Sequence, residues 1–188
     1  SYFIFSKIKK NITKYFANDN SLNRLIVGQN YLKKKLNKND YKKFEIFSNS
    51  EYKLPFQDNS IDLVITIHSL EPNNKIKGKI LNELYRISKH GIILMEPHYE
   101  LSSKKQKKRM VKLDYVRGIE KLIKDKKFNY RIIKKKFHIN ENNISSLFVI
   151  IKNKVSKKNN FSYVDPLDLS KLKIFQGYFY SAHTFRAF

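Results

Sequence analysis

The run Ile61–Ile67 (IDLVITI) constrains the fold more than any other stretch of the chain. Only Asp62 and Thr66 interrupt its apolar residues. Such a run, too short for a buried helix and rich in β-branched residues, suits a strand covered on both faces, as in a parallel sheet. Asp58, Asn59 and Ser60 precede it as a turn cluster whose short polar side chains cap backbone groups. The run stops abruptly at His68, followed by Ser69, Leu70, Glu71 and Pro72. Ligands of open α/β sheets bind outside the carboxyl ends of the strands. Polar groups arriving where this strand stops are therefore the first candidates for chemistry.

Strand and helix signals alternate on both sides of it, the mark of βαβ units. Residues 24–28 (RLIVG) and 44–47 (FEIF) predict two further strands, with a short helix or turn over 31–36 between them. Ile76, Ile80, Leu84 and Ile87 recur at helical spacing, widened by Leu81 and Tyr85. Residues 92–95 predict another buried strand. A helix follows the polar stretch 102–108, with Met110, Leu113, Leu122 and Ile123 expected inward. Residues 129–139 and 145–151 predict two strands joined by a turn short enough to make them antiparallel neighbours. The fold class is thus α/β: a Rossmann-like sheet, mostly parallel, with a terminal antiparallel hairpin. A small C-terminal β tail is expected over 161–188, after a basic linker over 153–160.

With 188 residues and 41% hydrophobic content the chain can bury a core. It has no cysteine, which excludes disulfides, thiolate metal sites and a thiol nucleophile. No apolar stretch has transmembrane length. The formal charge of +23 comes from 39 Lys and Arg, 33 of them Lys, spread along the whole chain. Sites for nucleic acid favour Arg forks interleaved with stacking aromatics. The diffuse Lys excess therefore predicts a solvated surface and no specific nucleic-acid site, with non-specific attraction to polyanions at low salt.

The string LPFQDNSIDLVITIHSLEPN resembles the fourth-strand region of class I S-adenosylmethionine-dependent methyltransferases. LNELYRIS and GIILMEP continue the resemblance as that family's next helix and fifth strand. EPHYEL and the segment from Arg109 to Gly118 resemble members from polysaccharide and lipopolysaccharide gene clusters. The resemblance implies a cytoplasmic enzyme that moves a methyl group from S-adenosylmethionine to an oxygen or nitrogen of a small-molecule or saccharide acceptor. It also implies a methyltransferase-like domain over 1–152. The tail after it is similar to a zinc-ribbon-like tail without its cysteines, so no metal is expected. A non-catalytic remnant acting as a binding or assembly module is the alternative of a different class.

The family's Gly-rich cofactor loop is missing, since five glycines in all leave none for it. Three readings stay open. Residues 2–5 are the first strand, with 6–10 a degenerate loop and 11–16 the first helix; or the first strand lies upstream of Ser1; or the domain has diverged from cofactor binding. Weak S-adenosylmethionine binding by this chain is expected. By position, the resemblance points the cofactor to Asn30 after the second predicted strand, to Ser50 and Glu51 after the third, and to Ile67 at the end of the fourth. His68 is the candidate general base, with Glu71 to orient it. Glu96 and His98, at the end of the 92–95 strand, are expected in one cleft with them. Each also has a plainer reading: His68 as a strand-end cap, Glu96 as an acceptor for loop amides, Asn30 as a loop residue. Arg109 and Arg117 either hold an anionic acceptor or are solvated helix arginines.

Overall fold

The computed structural model describes residues 12–49, 52–140, 142–152 and 174–181. Its strands are β1 (Ile12–Asn18), β2 (Phe44–Phe47), β3 (Ile61–Ile67), β4 (Ser88–Pro97), β5 (Asn129–Asn140), β6 (Asn143–Ile151) and β7 (Ile174–Ser181). Its helices are α1 (Leu22–Lys35), α2 (Lys38–Tyr41), α3 (Lys77–Ile87), α4 (Lys104–Lys112) and α5 (Ile119–Asp125). The strands form one mixed sheet in the order β2-β1-β7-β3-β4-β6-β5. The first five in that order run parallel, and β6 pairs antiparallel with both β4 and β5.

The period of two along the central strands sorts side chains into two cores. Val64, Ile92, Leu94, Phe148 and Ile150 pack with the α3 stripe (Ile80, Leu81, Leu84, Ile87) and with Ile119 and Ile123 of α5. On the other face Leu63, Ile65 and Ile93 pack with Ile12, Tyr15 and Ala17. Asp62, which interrupts the apolar run, is buried near the ammonium of Lys89 (3.6 Å) and the ring of His90 (3.7 Å). The strands expected at 44–47, 61–67 and 92–95 are present, as is the antiparallel pair. Met110 and Ile123 are buried as expected, whereas Leu113 lies 45% exposed past the end of α4.

Two expectations fail. Residues 24–28 are not a strand: they lie inside α1, capped by the Ser21 side chain, with Leu25, Gly28 and Leu32 buried at helical spacing. Ile12–Asn18 is a strand, β1, where one reading of the sequence expects a first helix at 11–16. The expected first strand at 2–5 and loop at 6–10 lie outside the described residues, as does the linker at 153–160. Within the expected C-terminal tail, Ile174–Ser181 is a strand of the main sheet. It pairs with β1 from Ile12↔Ile174 to Asn18↔Tyr180 and with β3 from Leu63↔Gly177 to Ile67↔Ser181. Among the described residues it alone joins the β2-β1 pair to the other four strands.

Candidate active site

The pairings align one row of residues across the carboxyl ends of the parallel strands: Phe47, Asn18, Tyr180, Thr66 and Leu94. From β1 the chain moves outward to β2, and from β3 it moves the other way to β4, so the strand order reverses at β7. A reversal of this kind opens a crevice at the carboxyl ends, where ligands of such sheets bind. The exits of β1 and β3 are two strand spacings apart, about 10 Å.

On the β3 side, the His68 amide donates to the carbonyl of Met95 (2.9 Å) and so extends the β3–β4 ladder by one residue. His68 then takes a left-handed backbone, φ 54°, which turns the chain off the sheet and is unusual for a residue with a Cβ. The turn is clamped by Glu96, which is fully buried. Its Oε1 accepts from the Thr66 hydroxyl (2.9 Å) and the Ser69 amide (3.0 Å), and its Oε2 from the Leu70 amide (3.2 Å).

The imidazole of His68, 2% exposed, spans two partners. Nδ1 lies 2.9 Å from Oε2 of Glu71, and Nε2 lies 2.9 Å from the Ser145 hydroxyl. A carboxylate at Nδ1 keeps a proton there, so in the neutral ring Nε2 accepts from Ser145. Asn143 donates through Nδ2 to Oε1 of Glu71 (2.5 Å), and Arg109 donates through Nη1 to Oδ1 of Asn143 (3.1 Å). A chain of side-chain hydrogen bonds thus runs Arg109, Asn143, Glu71, His68, Ser145.

Burial pulls the basicity of His68 down, but the hydrogen bond to Glu71 and the charges of Glu96 and Glu71 outweigh it and leave the ring above its ordinary 6.5. Burial pushes the Glu96 carboxyl up to about 7, against the opposing pull of His68, the Leu70 and Ser69 amides and the Thr66 hydroxyl. Two shifted titratable groups within electrostatic reach of one another are the kind of arrangement found at functional sites.

The structure brings His68, Glu71 and Glu96 together. His98 is placed differently. Its Nδ1 lies 2.8 Å from the Ser146 hydroxyl, and its Nε2 is 3.5 Å from Glu100 and 3.9 Å from Glu120. Ser145 and Ser146 are neighbours on β6 and so point to opposite faces of the sheet. The two histidines are therefore bonded to different faces. Ile67, the last residue of β3, lies on the rim. Asn30 does not: it sits within α1, because the strand it was expected to follow is a helix. Ser50 and Glu51 lie outside the described residues.

On the β1 side the structure supplies residues that the sequence reading passed over. Asn18, the end of β1, exchanges bonds with the backbone of Asn49: its Nδ2 donates to the carbonyl (3.1 Å) and its Oδ1 accepts from the amide (3.0 Å). Asp19, next on the chain, is 1% exposed. It accepts from the Ser21 amide (2.8 Å) and from Nε (2.9 and 3.1 Å) and Nη2 (2.7 Å) of Arg24. The signal was present in the sequence as an acid just before a Ser cap and after ITKYFAN.

Residues 4–95 match the family model described as "Methyltransferase domain". The match contains β1 to β3 and most of β4, and with them Asp19, His68 and Glu71. Solved methyltransferases share the fold. A S-adenosylmethionine-dependent methyltransferase of Methanosarcina mazei is 17% identical, with a TM-score of 0.57 over 80% of this chain and 96% of its own. The complex between the Haloferax volcanii Trm112 methyltransferase activator and a methyltransferase is 12% identical, with a TM-score of 0.61 over 82% of this chain and 79% of that one. Geranyl diphosphate C-methyltransferase of Streptomyces coelicolor, solved with S-adenosyl-L-homocysteine, is 7% identical, with a TM-score of 0.60 over 81% of this chain and 67% of that one. No curated protein matches the sequence. Among the described residues no helix of the methyltransferase fold is long and apolar enough to cross a membrane, and no group of His, Asp or Glu could hold a metal ion.

Proposed function

We propose that the chain transfers a methyl group from S-adenosylmethionine to an oxygen or nitrogen of a small-molecule or saccharide acceptor, in the biosynthesis of a surface polysaccharide. The single observation that carries the reading is the reversal of strand order at β7. It puts an acid and a base on the two sides of one crevice, Asp19 after β1 and His68 after β3.

The resemblance to class I methyltransferases implies an acid after the second strand of the family, for the ribose hydroxyls. We assign that role to Asp19, next after β1, rather than to Asn30, which lies within α1. Arg24 fixes the carboxylate from one side, and oxygen lone pairs remain for hydroxyl donors. Bound S-adenosylmethionine supplies an electrophilic methyl on a sulfonium. The acceptor's proton leaves through the Ser145 hydroxyl to Nε2 of His68, while Glu71 holds the ring in the needed tautomer and steadies the imidazolium. Methyl transfer is an in-line displacement, so alignment of acceptor and sulfonium carries much of the rate. Glu96 shapes the turn that presents His68. His98, bonded to the other face of β6, is a support for that strand.

Titration of the chain with isotopically labelled S-adenosylmethionine tests the reading. Saturable binding is expected, weaker than micromolar, because five glycines leave no close-approach loop for the methionine end. Asp19→Asn is expected to weaken it further. Binding indifferent to Asp19, or none at millimolar cofactor, would overturn the assignment.

A further inference from the structure

We propose that α4 is the recognition face for a phosphorylated methyl acceptor, with Arg109 gripping the phosphate; this rests on the methyltransferase reading above. Lysine is abundant throughout the chain, and some of its cations elsewhere find acidic partners: Lys14 with Glu45 (2.6 Å), Lys124 with Glu120 (2.9 Å), Lys89 with Asp62 (3.6 Å). The α4 sequence KKQKKRMVK carries six cations and no acid. Among the described residues, none of the six forms an ion pair.

At 100° per residue, Lys104, Lys105, Lys108 and Lys112 fall within about a 100° arc, and all four are exposed. Lys104 and Lys108, Lys105 and Arg109, and Lys108 and Lys112 are like charges one turn apart, which oppose the helix. Lys104 and Lys105 also stand in the first turn, where the helix dipole favours anions. The capping box of Ser103 and Gln106 offsets part of this locally. A multiply charged anion is the ligand that would relieve it.

Arg109 and Arg117 differ. Arg117 is committed to the Met110 carbonyl (3.3 Å) and to Asp114 (3.0 Å). Arg109 lies at the border of the lysine arc, half-buried, with its guanidinium carbon 5.1 Å from the Tyr115 ring centroid. One Nη1 bond to Asn143 holds it, and its Nε and Nη2 donate to no acceptor among the described residues. A guanidinium fixed in place with two donors to spare is a fork for phosphate oxygens. Through Asn143 and Glu71 it is bonded to His68, so the gripped phosphate sits at one end of the chain whose other end takes the acceptor's proton.

The probe is inorganic diphosphate, titrated by NMR against the amide signals of α4 and the Nε–Hε signal of Arg109. Saturable shifts are expected in the unaltered chain. Arg109→Gln should weaken the affinity about tenfold or more, Arg109→Lys less. Lys105→Gln/Lys108→Gln/Lys112→Gln should also weaken it, whereas Lys33→Gln/Lys34→Gln/Lys35→Gln on α1 should leave it within about twofold. Equal losses in the two triple variants, or unchanged affinity in Arg109→Gln, would overturn the proposal. So would tighter, Arg109-independent binding to vesicles of anionic phospholipid. S-adenosylhomocysteine is titrated in parallel. Its binding without diphosphate saturation sinks the anion site alone; diphosphate saturation without it sinks the methyltransferase reading instead.

Discussion

On either side of β7 the carboxyl rim is built in contrasting ways. On the β1 side the acid is held by short-range bonds, Asp19 with Ser21 and Arg24 of the adjoining helix, and one longer link ties Asn18 to the backbone of Asn49. The β3 side is held by side chains from four places in the chain, His68 and Glu71, Glu96, Arg109, and Asn143 with Ser145. The first arrangement can present a carboxylate at little cost to the rest of the sheet. The second couples the acid–base groups to the packing of β4 and β6. Changes on the β3 side should therefore disturb chemistry and stability together, while changes on the β1 side should act locally.

The sharpest test of that contrast is His68→Asn, which keeps a residue tolerant of the left-handed backbone and removes the base. Turnover should fall by about 10²–10⁴ with cofactor affinity nearly unchanged. Steady-state kinetics alongside cofactor titration decide it, and intact turnover would remove His68 from the chemistry.

Glu96→Ala comes next. It strips three buried donors of their acceptor and should lower unfolding free energy by about 3 kcal/mol in urea denaturation. Glu96 also sets a pH trend. Its folded value of about 7 stands above the ordinary 4.5, so the folded state holds a proton that the unfolded state releases. The stability this contributes is complete below about 4.5 and is lost as pH rises through 7, to the extent of about 3 kcal/mol. The raised His68 adds in the same direction. Glu96→Gln should flatten the profile of unfolding against pH. A profile that climbs between pH 5 and 8 would contradict this account.

Glu71→Gln probes the coupling within the same side. The hydrogen bond and charge that raise His68 disappear, so the rise of turnover with pH should move to lower pH. A pH–rate profile of the variant measures the shift, and an unmoved inflection would break the assignment of Glu71.

On the β1 side the effects should be smaller. Asp19→Asn should cost about tenfold in cofactor affinity with turnover at saturation retained. Asn18→Ala should cost about 1 kcal/mol of stability and leave the pH profile untouched. If Asn18→Ala instead moved that profile, the two sides would be one network and the contrast would fail.

These same two sides differed in how far they could be read from sequence. His68, Glu71 and Glu96 were legible because an apolar run long enough to be one buried strand ended in polar residues, and a second run did the same. What sequence could not show was the partner set: Ser145, Asn143 and Arg109 are brought in by pairings across dozens of residues. On the β1 side the error was local. RLIVG has the β-branched look of a strand, yet Ser21 caps a helix there, and Ile26 and Val27 are 47% and 48% exposed on its surface. That one misreading pointed the cofactor to Asn30, which lies within the helix, and away from Asp19 at the end of β1. The place of β7 had no local signal at all, because membership of a slot between β1 and β3 is a property of the whole sheet.

The position of β7 bears on the order of assembly. Among the described residues Ile12 pairs with Ile174, so the described edges of β1 and β3 that flank β7 lack that partner until its stretch has emerged from the ribosome. Pairings so distant in sequence form slowly, and unpaired edges recruit strands from other molecules. The interval between synthesis of β3 and arrival of β7 is thus the window in which this chain is most exposed to misassembly, and in which a chaperone holding extended segments would matter most.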